Sequence, residues 1–375
     1  MKRIFLILIS ICLILCACSN QPVETTPTTE ATTEATTLPT TQATTEATTE
    51  ATTEPTTVPT TEALLYQHPL NGELLAQPWV GRATAIVINN IKVCLPQHGI
   101  GPADIVYEYE TEGGITRLLA IYSNLEDVGS IGPVRSSRTF FNSTALAYGA
   151  PIIHCGGSLA GRNGHYSDEG IRISGWEHVD ETYNGRYFFR DRSRLDAGFS
   201  REHTLFTNGE KVIEALNDKG YNIPNSTETD YGLMFAEEEV HRDGETANTV
   251  TVTFQGTKTT TMTYNADTGL YAASQYGINQ IDGNDNSVVT YNNVLILYTS
   301  QWKLNDNEYW RSYYDLIGSG EGYFACDGKI VPITWNRAEH RAPFTFTMED
   351  GSSVVLTPGK TYVAFSGASN YISYE

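Results

Sequence analysis

Within residues 104–138, DIVYEYETEGGITRLLAIYSNLEDVGSIGPVRSSR, acidic and basic side chains recur at short intervals. Asp104, Glu108, Glu110 and Glu112 supply carboxylates, and Arg117, Arg135 and Arg138 supply guanidiniums. Planar guanidinium forks bind phosphate or carboxylate in bidentate fashion and keep their charge. Carboxylates beside them can orient the forks or hold Mg²⁺ against phosphate oxygens. His154 ends an apolar run just before Gly156-Gly157-Ser158, a turn able to aim backbone N–H groups at an anion. Arg190, Arg192 and Arg194 lie in the one dense basic segment, 186–201, ahead of His203. For every one of these arginines the plainer alternative is a nearby carboxylate and a purely structural role. Glycoside hydrolysis by two of the glutamates is disfavoured, because paired carboxylates ordinarily work from opposite sides of a cleft. No Gly-x-Ser-x-Gly elbow, CxxC or HExxH motif occurs, so neither a cofactor nor a dedicated metal site is expected.

The neighbouring residues determine where these side chains must go. Residues 105–112 and 115–122 are β-prone runs around Gly113-Gly114, which predicts a two-residue hairpin. Such a turn sets Glu112 opposite Ile115, Glu110 opposite Arg117 and Glu108 opposite Leu119. Three carboxylates and Arg117 then line one face. Ile105, Tyr107, Tyr109, Leu118, Ala120 and Tyr122 form a core layer on the other. Residues 83–90 (ATAIVINN) predict a buried strand, 139–148 a short helix, 151–155 a strand and 200–216 a capped helix. From residue 249 onward alternating β-prone runs dominate, with hairpin turns at Asp327-Gly328 and Asp350-Gly351. The fold class expected is therefore α+β. A mixed α/β N-terminal domain occupies 64–240, and a mainly antiparallel β-rich C-terminal domain occupies 241–375.

The first 18 residues carry Lys2 and Arg3, an apolar run over 4–15, and Leu15-Cys16-Ala17-Cys18. This resembles a bacterial lipoprotein signal peptide with its lipobox. The resemblance implies that Cys18 is acylated, by palmitate or a similar chain, and becomes the mature N-terminus. Two acyl chains anchor a protein stably. Residues 19–63 read as a disordered, low-complexity tether, for 20 of the 37 residues in 25–61 are threonine. Residues 64–375 hold 22 Lys and Arg against 37 Asp and Glu, a net charge of −15 that argues against nucleic acid as a partner. Cys94, Cys155 and Cys326 are an odd number at wide spacing, which is no disulfide framework.

Together the runs ADIVYEYETEGGITRLLAIY (103–122), IGPVRSSR (131–138), HCGGS (154–158), YFFRDRSR (187–194) and GEGYFACDGKIVPITW (320–335) resemble the YerB-type lipoproteins of Gram-positive bacteria. That family is catalogued as a domain of unknown function with N- and C-terminal parts. The resemblance implies a location on the extracellular face of the cytoplasmic membrane, and no reaction. The family's Pro-His-Asn reads Glu202-His203-Thr204 here, so the histidine remains and the amide is lost. A fainter similarity in residue order to LytR-CpsA-Psr wall-polymer ligases would match Asp104, Arg117, Arg135, Arg138 and Arg190, though the spacing differs.

Two functions follow from these features. The first is a binding or scaffolding lipoprotein of the cell envelope with an anionic-ligand site. Its membrane contact is the lipid anchor, and its partner a wall glycan, an anionic polymer or an envelope protein. The second is a phosphate-directed transferase or hydrolase acting on a polyprenyl-phosphate or glycan, the one reading under which a divalent metal such as Mg²⁺ is expected.

Overall fold

The computed structural model describes residues 65–157, 176–224, 229–237, 243–254, 258–306, 309–367 and 371–375. Cys18, the tether, Ser158 and the boundary at 240 lie outside these residues. All of the described residues belong to one compact unit, Thr61–Glu375.

Strand β1 (Thr84–Asn89) is buried along its whole length, as a continuous apolar run in a doubly covered sheet must be. It is followed by β2 (Ile105–Glu110) and β3 (Thr116–Tyr122), then helix α1 (Thr139–Ala147) and strands β4 (Ile152–His154) and β5 (His178–Asp180). Helix α2 (Gly209–Lys219) starts at Asn208, whose side chain accepts from Lys211 N at 2.8 Å. Strands β6 (Thr249–Thr253), β7 (Thr259–Asn265) and β8 (Leu270–Gln275) form a second sheet. After them come β9 (Asn293–Tyr298), the hairpin β10 (Gln301–Asp306) and β11 (Tyr309–Tyr314), β12 (Gly318–Cys326), β13 (Lys329–Arg337) and β14 (Thr361–Ser366).

Among the described residues the largest sheet has 11 strands, with the order β13-β12-β9-β14-β2-β3-β1-β4-β5 at its centre. The segments 64–240 and 241–375 thus contribute to one sheet. β14 lies parallel to both β9 and β2, so pairing in the C-terminal segment is not uniformly antiparallel. The described residues are mostly strand, with few helices. One face of the sheet packs Tyr107, Tyr109 and Leu119 against Phe140 and Phe141 of α1. The other packs Val106, Leu118 and Ala120 against the second sheet and α2. Each fully buried large aliphatic side chain contributes about 1.5–3 kcal/mol.

Two expectations about local structure are corrected. Glu110 pairs with Thr116, Tyr109 with Arg117 and Glu108 with Leu118, one residue out of the expected register. The cause is the turn. Glu112–Gly114 form a 3₁₀ turn closed by Thr111 N donating to Ile115 O at 2.7 Å, which makes a five-residue connection. A slip of one residue sends every side chain of β3 to the opposite face. Leu118, Ala120 and Tyr122 therefore leave the Tyr107 layer, and Arg117 leaves the face of Glu108 and Glu110. Within 200–216, the helix begins only at Gly209. A 3₁₀ turn (Arg201–His203) and a strand (Leu205–Asn208) precede it, because Leu205 and Phe206 are buried as strand residues.

Candidate functional site

Strands β1, β4, β5 and β2 all run in one direction, and their carboxyl ends carry Asn89, His154, Asp180 and the turn after Glu110. That edge is where parallel sheets characteristically bind ligands. Residues 133–138 run along it as an extended segment. Asn89 N donates to Pro133 O (2.8 Å) and Arg135 N to Val87 O (2.9 Å), while Cys155 N donates to Arg135 O (3.1 Å) and Ser137 N to Gly156 O (3.0 Å). Gly132 admits the segment. Its φ is +147°, and a Cβ there would meet Val134 N at 2.9 Å and Leu205 O at 3.0 Å.

Three guanidiniums converge on Glu112. Arg117 Nη2 reaches Oε1 at 3.0 Å, Arg138 Nε reaches Oε2 at 3.1 Å with its Nη2 on Oε1, and Arg311 Nη1 approaches Oε1 at 3.5 Å. Arg117 and Arg138 are buried and also donate to the carbonyls of Ser136 (2.8 Å) and Ser137 (2.7 Å). Arg135 stands next in the segment, bridged to Glu202 at 3.0 Å, and its charge is felt by both Arg117 and Arg138. Arg117 Nε and Arg135 Nε are buried without a hydrogen-bond partner among the described residues. Burial works against a charged Glu112, but Arg117 and Arg138 outweigh it and hold its carboxyl down at about 2. Burial, followed by the charge of Arg138, pulls the pKa of Arg117 well down. Arg117, Arg138 and Arg311 thus share the one carboxylate of Glu112.

His154 and His203 stand at the same edge of the sheet. His154 Nδ1 lies 2.7 Å from Gly156 O, and its Nε2 lies 3.1 Å from His178 Nδ1. Burial and then His154 lower the pKa of His178 to about 4. Asp180 Oδ1 accepts from Gly156 N (2.7 Å) and Thr182 N (3.0 Å), fixing the turn. His203 touches Asn89 Nδ2 at 3.3 Å and lies 3.5 Å from Glu202, the partner of Arg135. Cys155 donates to Glu181 at 3.3 Å, and burial with Glu181 pushes its thiol up to about 12.

The remaining candidates sit elsewhere. Asp104 lies at the amino end of β2, accepting from Asn71 Nδ2 (2.8 Å) and Ser123 N (2.6 Å). Glu108 and Glu110 are fully buried on the face of β2 turned away from Arg117. Glu108 receives Asn90 Nδ2 (2.8 Å), Thr260 Oγ1 (2.7 Å), Tyr362 OH (2.6 Å) and Thr116 Oγ1, and Lys258 Nζ stands 2.8 Å away. Arg190 pairs with Glu181 (3.5 Å) and Arg201 O (2.8 Å). Arg192 pairs with Asp196 at the surface. Arg194 is buried against Phe206 and donates to the carbonyls of Cys94 (2.9 Å) and Pro96. Among the described residues no group of three or more His, Cys, Asp and Glu could hold a metal. Sequence reasoning missed Arg311, a single cation inside an aromatic run, and Lys258, a single cation among threonines.

Residues 71–222 match the N-terminal domain, and 250–363 the C-terminal domain, of the family described as "Protein of unknown function (DUF3048)". The chain belongs to the DUF3048 family. The N-terminal match contains Glu112, Arg117, Arg135 and Arg138, and the C-terminal match contains Arg311 and Lys258. The chain is 27% identical over 285 residues to the Bacillus subtilis (strain 168) protein named "Putative lipoprotein YerB", covering 75% of this chain and 80% of that one. It shares its fold with the crystal structure of the Bacillus subtilis YerB protein, at a TM-score of 0.68 and 24% identity over 82% of this chain and 99% of that one.

Proposed function

We propose that this DUF3048 protein is a lipid-anchored binding protein of the cell envelope whose ligand is anionic. The anchor is Cys18, facing outward from the cytoplasmic membrane, and the partner is a wall glycan, an anionic polymer or an envelope protein. The name of the Bacillus relative and the Leu15-Cys16-Ala17-Cys18 run support the anchor. No described helix is long and apolar enough to cross a membrane. The convergence of Arg117, Arg138 and Arg311 on Glu112, with Arg135 beside them, carries the ligand reading. A transferase or hydrolase needs a nucleophile or base within reach of the bound phosphate. The thiol of Cys155 is held protonated and His154 is engaged with Gly156 and His178, so binding is the better-supported reading.

Arg135 is the variant of choice because it is the more exposed of the two arginines on the segment and bridges a solvent-facing Glu202. Arg135→Ala should melt near the parent temperature while losing most of the parent's stabilisation by inorganic pyrophosphate. A parent whose melting is insensitive to pyrophosphate would end this reading. For the anchor, Cys18→Ala should leave the membrane fraction or remain unprocessed, and unchanged detergent partitioning would overturn it.

A further inference from the structure

We infer that the ligand of the arginine cluster is a phosphorylated sugar, with Trp302 as the platform for its ring. This rests on the anion reading above and adds the identity of the neutral part. The hairpin of β10 and β11 pairs Trp302 with Tyr313, Leu304 with Arg311 and Asn305 with Trp310. Cross-strand partners share a face and successive residues alternate. Trp302, Tyr313 and Arg311 therefore lie on one face, and Trp310 on the other. The indole of Trp302 stacks on Tyr313, with ring centroids 6.4 Å apart and an interplanar angle of 21°. Even so, Trp302 remains 44% exposed.

The hairpin is fixed relative to the cluster. Ser312 Oγ donates to Thr111 O at 2.8 Å, and Tyr314 OH donates to Glu110 O at 3.1 Å, at the two residues preceding Glu112. Arg311 lies between these two attachments and the tip, and reaches Glu112. An exposed indole backed by a second aromatic ring presents a rigid apolar plane suited to the C–H face of a pyranose. Arg311, on the same face and reaching Glu112, links that plane to the guanidiniums that take phosphate oxygens. One small ligand satisfies both only if sugar and phosphate are directly joined. A long polyanion is disfavoured, since the net charge of −15 over residues 64–375 repels it beyond the cluster.

The test is calorimetric titration of the full chain with inorganic phosphate, N-acetylglucosamine 1-phosphate and uridine monophosphate. The sugar phosphate should bind about tenfold tighter than phosphate, the scale of one aromatic contact. Trp302→Ala should erase that advantage and leave phosphate affinity unchanged. Trp310→Ala, the same change on the opposite face, should erase nothing. Equal affinity for phosphate and sugar phosphate, or an advantage that survives in Trp302→Ala, overturns the sugar assignment and leaves the anion site standing. An advantage limited to the nucleotide and dependent on Trp302 also overturns it, in favour of a base-stacking platform. Failure of all three probes to bind overturns both readings.

Discussion

Lys258 Nζ lies 2.8 Å from Glu108 Oε1, with both side chains sealed from solvent, and this pair joins the second sheet to the centre of the first. Thr260 and Gln275 of the second sheet accept from the ammonium, while Thr116 and Tyr362 of the first donate to the carboxylate. Burial opposes the charge on Glu108, but Lys258 and these donors bring its pKa below the ordinary value. Removing one partner strands a buried charge. Lys258→Met should therefore lower unfolding free energy by about 3–5 kcal/mol in urea titrations, and Glu108→Gln combined with Lys258→Met should recover part of that loss. A Lys258→Met protein within 1 kcal/mol of the parent, roughly the value of an exposed pair, would remove the pair from the list of interactions holding the sheets together.

Acid should weaken the fold in two windows. His178 is depressed from 6.5 to about 4, so the unfolded chain binds its proton first and stability falls as pH drops from about 6.5 to about 4. Glu112 is depressed from 4.5 to about 2, so its contribution is complete above about 4.5 and is lost as pH falls towards about 2. Glu112→Gln should flatten the lower window of a stability–pH profile and His178→Gln the upper one. A parent profile flat from pH 7 to pH 4 would contradict the His178 assignment.

Asp104 and Arg135 should separate stability from binding. Asp104→Ala leaves Ser123 N and Asn71 Nδ2 without their acceptor and should cost about 1–3 kcal/mol. Its pyrophosphate affinity should equal the parent's, because Asp104 lies at the other end of β2. The converse pattern, loss of affinity without loss of stability, belongs to Arg135→Ala. Parallel chemical denaturation and calorimetry of the two variants check both halves.

Cys155 should resist modification. With its thiol pushed up to about 12 and hydrogen-bonded to Glu181, almost none is thiolate at pH 8. Iodoacetamide at that pH should label it more slowly than a free thiol in a short peptide. Labelling at the peptide rate would place Cys155 in a different environment.

Much of the framework was readable from residue pattern. The apolar runs of β1 and β4, the helix at Thr139 and the Asp327-Gly328 turn carry local signals, and each appears where those signals place it. The register of the central hairpin was not readable, because Gly113-Gly114 fits either a two-residue turn or the observed 3₁₀ turn, and only packing on both faces decides between them. The candidate site was half legible. Arg117, Arg135 and Arg138 sit close together in the chain beside Glu112. Arg311 comes from a hairpin some two hundred residues away in the chain and has no local mark. Glu108 looked like its neighbours because a period of two cannot distinguish a ligand-facing carboxylate from one matched to a distant lysine.

Strand β14 lies between β2 and β9, although about 250 residues separate it from β2 along the chain. During synthesis, β2 has no strand partner on that side until residues 361–366 have been made. The N-terminal segment must therefore wait, with an unsatisfied strand edge, for residues 361–366 to arrive. A chain cut short before residue 361 would open the sheet between β2 and β9. The Glu112 turn at the end of β2 would then rest on a strand paired with β3 and open along its other edge.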